Sequence, residues 1–467
     1  MTATADPVLS TRTGQPAEAP LTLEQPPPKV LSFADQLGLW GNLGVSILGP
    51  VGAIFVLAPA GAGEPWLPLG AALLAIVVGT LLGTLLVALS AVPGAQTGAP
   101  SMVLLRGLFG AKVSYLPTVL NMVQLVGWSV FEIVAITAAA QQLLPWHGVR
   151  WPYVVVAGVL TTIMAIRPLG SVRVLRRYAI AAVTVATVYL FAELLTHHVS
   201  KAPHSSWSGF WMAADYVVAV AVSYVPLASD YSRHSRSVRS AFGATLVGYS
   251  VTQIAYYTLG VLALVTVVHA SDDAVVLQHD MFGAFIAVPV GWLAFGVLTL
   301  RELDQSFADA YSTVISAQNI WPRVDRRVFA VLVGALTTGL ALWLNIGDYA
   351  NFLSILGSVF VPMFAVFAVD YFLLGGRRAW DVSHTAPARW AMLLPWLAGF
   401  AMYHMVYAPD FGPWATWWAD VDSALHFTWQ SWMSASVLSF AVAALLAVPF
   451  GVVGRRVGGR RVVPVES

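Results

Sequence analysis

The run 300–318, LRELDQSFADAYSTVISAQ, places Arg301, Glu302, Asp304 and Asp309 in one stretch that follows the apolar run 284–300. At a membrane-helix centre each charge costs about 2.5–3.5 kcal/mol on insertion scales, so four facing lipid would cost on the order of 10 kcal/mol. These side chains must therefore face protein or a water-filled cavity. There a carboxylate can ligate a cation, carry a proton if burial raises its pKa, or accept hydrogen bonds. Arg301 can pair with Asp304 or with Glu132, and Arg301 and Glu302 can equally form a buried ion network that fixes the helix. A second run, LPTVLNMVQLVGWSVFEIVAI (116–136), carries Asn121, Gln124, Trp128 and Glu132 three and four residues apart, on one helix face. An indole offers a flat apolar surface and an amide offers edge donors and acceptors, the combination that holds a planar heteroaromatic ring. The same residues also suit plain helix packing, for Trp128, and interhelical hydrogen bonding, for Asn121 and Gln124.

The elements that carry these groups follow from composition. Of 467 residues, 58% are hydrophobic and 10% charged, against about 25% charged in soluble proteins. Such a chain reads as a polytopic membrane protein. Apolar runs long enough to span fall at about 37–60, 66–92, 115–143, 152–170, 177–196, 210–229, 241–269, 284–319, 327–346, 350–374, 390–408 and 433–454. If the N-terminus is cytoplasmic, alternate loops should be basic. Of 24 Lys and Arg, 21 fall in the segments this count puts inside, Arg150 and Lys201 fall outside, and Arg301 lies within a span. A miscounted helix would invert that pattern, so twelve spans with both ends cytoplasmic are expected. Residues 1–33 read as a disordered cytoplasmic tail, 34–455 as the twelve-helix domain and 456–467 as a basic cytoplasmic tail. The Trp-rich loop 409–432 reads as an aromatic belt at the outer interface, with a carbohydrate-stacking surface as the weaker alternative.

Two spans look interrupted. The first contains Gly41, Gly44, Gly49, Pro50 and Gly52, and the sixth, AVSYVPLASDYSR, contains Pro226. Broken helices five spans apart point to a midplane binding site whose freed backbone groups can ligate, although Gly and Pro also make ordinary kinks. Other chemistry lacks support. With no cysteine, thiolate catalysis and disulfides are excluded. The ten histidines are scattered, there is no Walker loop, and the net charge of +1 does not argue for a nucleic-acid partner, so none is expected. No cofactor is expected, and no protein partner is indicated. A membrane enzyme would want a His/Asp constellation and a sensor would want a cytoplasmic domain, so both are remote.

PGAQTGAPSMVLLRGLFGAKVSYLP (93–117) with Gly127-Trp128 resembles the nucleobase:cation symporter-1 family, closest to its cytosine and purine permease branch. So do Ser229-Asp230-Tyr231-Ser232-Arg233, Asn319-Ile320, Asn351-Phe352-Leu353, Pro362 and Asp370-Tyr371-Phe372, in family order over roughly residues 33–375. The resemblance implies an all-α, leucine-transporter-like five-plus-five inverted repeat with helices one and six broken and helices three and eight completing the site. It implies import of cytosine or a related purine or pyrimidine across the cytoplasmic membrane by symport. Gln124, Trp128, Ser223, Tyr224 and Asp309 are the expected substrate residues. Tyr224 is six residues before Asp230, whereas several members place their aromatic nine before, here Ala221. Asp230 and Arg233 are expected to anchor the cytoplasmic end of helix six. Near the first break, Asn42, Gly44, Val45, Ser46 and Leu48 could offer carbonyls to a sodium ion. Sodium-coupled members complete that site from helix eight with Ser/Thr hydroxyls; here Asp304 and Gln305 stand there. Val45, Leu48, Glu132, Asp304 and Gln305 are therefore expected to couple the cation, H⁺ or Na⁺, and Asn42, Asn121, Arg301, Glu302, Asp230 and Arg233 to form the supporting network. A cationic amine or an allantoin- or hydantoin-like ring is the alternative substrate.

Overall fold

A computed structural model of the chain describes residues 27–59, 65–146, 148–166, 172–197, 205–267, 273–320 and 325–457. The described residues are helical apart from loops and two isolated bridges, Leu31 with Ser235 and Trp66 with Ser205. In chain order the α-helices are α1 (Phe33–Leu43), α2 (Leu48–Leu57), α3 (Leu69–Thr97), α4 (Ser101–Phe109), α5 (Tyr115–Leu143), α6 (Trp151–Ile166) and α7 (Val172–Leu194). They continue with α8 (Phe210–Val222), α9 (Ala228–Ser232), α10 (Val238–Thr266), α11 (Ala274–Ala287), α12 (Gly291–Ile320), α13 (Arg326–Trp343) and α14 (Tyr349–Ala368). The chain closes with α15 (Gly376–Ala379), α16 (Leu393–Val406), α17 (Pro413–Leu425) and α18 (Ala435–Val457).

Five of these helices are long and apolar enough on their own to cross a bilayer, and six if the pair α1–α2 counts as one span. Each of the twelve predicted runs contains helix. The eighth run starts differently from the expectation. Its first residues belong to the separate helix α11, and α12 begins at Gly291 after Val288–Val290, where Val290 sits at φ 56°. Arg173, Arg176 and Arg177, expected in a loop, lie in the first turns of α7. The Trp-rich loop folds into α17, whose Trp418 stacks on His404 at 5.2 Å. The tails 1–26 and 458–467, and the loops carrying Arg167, Lys201, His198, His204 and Arg323, lie outside the described residues. The end of the expected N-terminal tail is held to the body: Leu31 exchanges backbone hydrogen bonds with His234 and Arg236, and Lys29 donates to the Ala95 carbonyl at 2.9 Å.

Both expected breaks are present. α1 opens on a capping box in which Ser32 and Asp35 satisfy each other's backbone N–H groups. It ends at Gly44, and α2 leaves at 62° to it. Pro50 sits in the first turn of α2, where its missing N–H costs nothing. Both halves pack on α10. A Cβ at Gly44 would lie 2.1 Å from Thr252 Oγ1 and one at Gly49 would lie 2.7 Å from the Tyr256 Cβ, so small residues let this bent span lie close to its neighbour. The sixth span stops at Val222, turns through 223–227 with Pro226, and resumes as α9. α9 is tied to α3 and α4: Ser229 Oγ donates to the Ser90 carbonyl (2.8 Å), Ser232 Oγ to the Ala91 carbonyl (2.6 Å) and the Ser229 N–H to Ser101 Oγ (3.0 Å).

Candidate functional site

A cavity lies where the two breaks meet α5, α10 and α12. Leu43, Gly44, Ser46 and Leu48 line it from the first break, Ser223, Tyr224 and Leu227 from the second, Gln124, Trp128 and Glu132 from α5, and Gln305 and Asp309 from α12. The lengths of α5 and α12 explain the convergence: each is a long apolar helix with one polar stripe, and packing the two together turns those stripes toward the breaks.

The α5 stripe is pre-oriented. Gln124 Nε2 donates to Asn121 Oδ1 and to the Ser223 carbonyl, both at 2.8 Å. Its Oε1 is buried without a hydrogen-bond partner, as are Trp128 Nε1 and Glu132 Oε2. Trp128 is fixed edge-on by Tyr349 (6.1 Å) and Phe352 (5.2 Å). Tyr224 stands edge-on to Tyr249 (5.2 Å) and Trp40 (6.1 Å), and its hydroxyl donates to the Leu43 carbonyl at 3.3 Å. Glu132 on α5 and Asp309 on α12 bring two carboxyl groups to the same cavity. Ser223 spends its hydroxyl on the Val220 carbonyl (2.7 Å) and takes part through its backbone.

On α12 the charges divide. Glu302, fully buried, accepts from Ser46 Oγ (2.6 Å) and from the Ile47 N–H (2.9 Å), at the start of α2. Arg301 points to the other side of the break and donates to the Asn42 carbonyl at 3.1 Å. It also pairs with Asp304 (3.3 Å) and donates to Gln305 Oε1 (3.3 Å). Gln305 Nε2 donates to the Leu43 carbonyl at 3.2 Å. A carboxylate at a helix N-terminus and a guanidinium at a helix C-terminus each oppose the local dipole. Two of the residues expected around the cation stand beside the cavity without lining it. Asp304 is 29% exposed in its side chain and turns along α12 to Arg301, and Val45 belongs to the turn between α1 and α2; neither lines the cavity. Asp230 accepts from the Ser101 N–H (2.8 Å), capping α4, and Arg233 reaches His234 Nε2 (3.3 Å), both at the end of the sixth span.

A third face, not among the residues expected from the sequence, completes the lining. Tyr249, Gln253 and Tyr257, four residues apart on α10, line the cavity together with Tyr349. Gln253 Nε2 is held by the Val217 carbonyl at 2.9 Å, while its Oε1 and the Tyr257 and Tyr349 hydroxyls lack hydrogen-bond partners. The period-four polar and aromatic spacing that marked α5 is present here too, and an intramembrane glutamine was the available signal. A second buried ion pair, Asp370 with Arg389 (2.9 Å) and Trp380 Nε1, lies remote from the cavity and fastens the end of α14.

Comparison with known proteins agrees with this architecture. The family described as permease for cytosine/purines, uracil, thiamine, allantoin matches residues 53–406. The cytosine permease of Escherichia coli (strain K12) is 25% identical over 346 residues, covering 71% of this chain and 77% of that protein. The nucleobase-cation-symport-1 family transporter Mhp1, closed with bromovinylhydantoin bound, superposes with TM-score 0.70 at 15% identity over 94% of this chain and 97% of that one. Its inward-facing conformation gives TM-score 0.72 at 14% identity over 94% and 95%. The likeness establishes the all-α fold. The chain therefore belongs to the cytosine/purine permease family, as a multi-pass membrane transporter rather than an enzyme.

Proposed function

We propose that this chain imports a nucleobase, cytosine or a related purine or pyrimidine, across the cytoplasmic membrane by symport, and that the coupling ion is a proton. The observation that carries the reading is the set of unpartnered polar atoms around one cavity: Gln124 Oε1, Gln253 Oε1, Glu132 Oε2 and Trp128 Nε1. Buried polar atoms cost about 1–3 kcal/mol each when unsatisfied, so these fit a ligand whose edge alternates donors and acceptors. The Trp128 and Tyr224 rings supply the apolar surface for its faces. Two carboxyl groups that share one buried cavity favour holding a proton between them over two like charges, which makes Glu132 and Asp309 the proposed proton carriers. Twelve spans with both termini cytoplasmic, flanked by tails 1–33 and 456–467, belong to the same proposal and rest on the loop charges.

A cationic amine is the second reading. It is favoured because Arg301 is drawn to the Asn42 carbonyl and leaves Glu132 and Asp309 as the acids of the cavity. Uptake of labelled cytosine into proteoliposomes, competed by a panel of nucleobases, hydantoins and amines, separates the two. Competition by nucleobases supports the proposal; labelled uptake that no nucleobase reduces overturns it. A protonophore should collapse accumulation driven by an imposed pH gradient.

A further inference from the structure

The break between α1 and α2 exposes two chain ends of opposite polarity, the carbonyl end of α1 and the amide end of α2. In water or in a cavity such ends attract ions, and a cation at the carbonyl end of α1 would meet the oxygens of Asn42 and Leu43. In this chain those oxygens are already taken. Arg301 Nη2 lies 3.1 Å from the Asn42 carbonyl. The Leu43 carbonyl accepts from Gln305 Nε2 (3.2 Å) and from the Tyr224 hydroxyl (3.3 Å), which uses both of its lone pairs. The remaining oxygens in reach, Gln305 Oε1 and the Asp304 carboxylate, also point at the same guanidinium, each at 3.3 Å. A fixed positive charge inside this oxygen set excludes a second cation sterically and by repulsion. Glu302 completes the arrangement by placing a carboxylate on the amide end of α2. The oxygens at the carbonyl end of α1 therefore do not fit a sodium ion.

We propose that Arg301 is a tethered cation that holds the break of the first helix in place of a sodium ion, so that this chain works without sodium. The inference rests on the reading of the chain as a cation-coupled transporter, and it makes Arg301 a positioning residue. It predicts a corollary: removing the guanidinium leaves the Asn42 carbonyl, Gln305 Oε1 and Asp304 around a vacated cation position, which sodium should then enter.

The test uses the purified full chain in detergent, with thermal unfolding followed in sodium chloride and in potassium chloride at equal ionic strength. The wild type should give the same Tm in both salts, and proteoliposome uptake should be equal in both. Arg301→Ala should show a Tm that rises with sodium and not with potassium, while Arg301→Lys should stay indifferent. Arg301→Gln, which removes the charge and keeps a polar side chain, carries the same readout if the alanine variant does not fold. A sodium-specific rise in the wild type overturns the proposal. So does a folded Arg301→Ala or Arg301→Gln that responds equally to both salts. Because the Tm measurement contains no nucleobase, a wrong substrate would leave it unaffected and would show only in the competition assay.

Discussion

Glu302→Gln is the sharpest test of how the first helix is held. The carboxylate is fully buried and its two oxygens accept from Ser46 Oγ at 2.6 Å and from the Ile47 N–H at 2.9 Å. Hydrogen bonds to a charged group are worth about 1.5–3 kcal/mol each and neutral ones about 0.5–1.5 kcal/mol. An amide keeps one acceptor and turns an NH₂ toward the other site. Because Ser46 Oγ also accepts from the Leu48 N–H (3.0 Å), an NH₂ turned toward it fills both of its lone pairs and leaves its own proton without the Glu302 acceptor. Loss of the charge at the α2 N-terminus removes roughly another 0.3–2 kcal/mol. The sum is a destabilisation of about 2–4 kcal/mol, with Glu302→Asp close behind because it is one methylene shorter. Ser46→Ala and Glu302→Gln share one network, so together they should cost less than the sum of their separate effects. Denaturant titration of the purified protein in mild detergent measures all three, with cytosine uptake read in parallel. A Glu302→Gln protein within about 0.5 kcal/mol of wild type, the scatter of neutral surface changes, would refute the assignment, and so would strict additivity with Ser46→Ala.

Four further outcomes are expected. Gly260→Ala would put a Cβ 2.3 Å from the Pro50 carbonyl oxygen, a backbone contact that no rotamer change relieves; it should cost about 1–3 kcal/mol or more and lower uptake by displacing α2, read by thermal unfolding and transport. Asp215 accepts from Ser434 Oγ (2.6 Å) and from the Ala435 (2.7 Å) and Ser436 (3.2 Å) N–H groups at the start of α18; Asp215→Asn should cost about 1–3 kcal/mol while the substrate concentration for half-maximal uptake stays unchanged. The Ser32 hydroxyl and amide hold the Asp35 carboxyl below its ordinary value. A lowered folded pKa stabilises above the unfolded value and loses that contribution as pH falls through the folded one, so wild type and Asp35→Asn should differ in Tm at neutral pH and converge only at acid pH. Glu132→Gln and Asp309→Asn should each abolish proton-driven accumulation while sparing counterflow exchange, and the double variant should be no worse than either alone, as measured by exchange and gradient-driven uptake.

Much of this arrangement was legible in the chain. The glycines and Pro50 of the first span and Pro226 of the sixth marked the breaks because their backbone chemistry interrupts a helix whatever surrounds it. Spacing put Gln124, Trp128 and Glu132 on one face for the same local reason. What the sequence could not carry was direction across the molecule. Arg301, Glu302 and Asp304 are close neighbours on one helix, and their opposite destinations depend on where the ends of α1 and α2 fall in space. The direction of Asp304 shows the same point: three residues from Arg301, it turns along its own helix to the guanidinium. Tyr249, Gln253 and Tyr257 were missed because a membrane helix with tyrosines reads as packing until a neighbour leaves its polar atoms without partners. The α11–α12 boundary was invisible for a related reason, since an apolar run that turns at Val288–Val290 keeps its composition across the turn.

The division of charge along α12 also says how the cavity and the first helix can communicate. Glu302 and Asp309 are seven residues apart, on one face and about 10.5 Å apart along the axis. Gln305 lies between them. It lines the cavity, accepts from Arg301 and donates to the Leu43 carbonyl. A ligand that draws on the Gln305 amide must therefore compete with the end of α1, while the Glu132–Asp309 pair stands one turn further along the same face. Coupling requires only that ligand and proton favour the same arrangement of the break. The route is short and physical: ligand to Gln305, Gln305 to Leu43 and Arg301, Arg301 to Asn42. Gln305→Leu removes the link while leaving Arg301 on Asn42, so it should retain a folded, substrate-binding protein whose uptake no longer responds to the pH gradient. If gradient-driven accumulation survives in that variant, the coupling must run through Tyr224, whose hydroxyl meets the same Leu43 carbonyl.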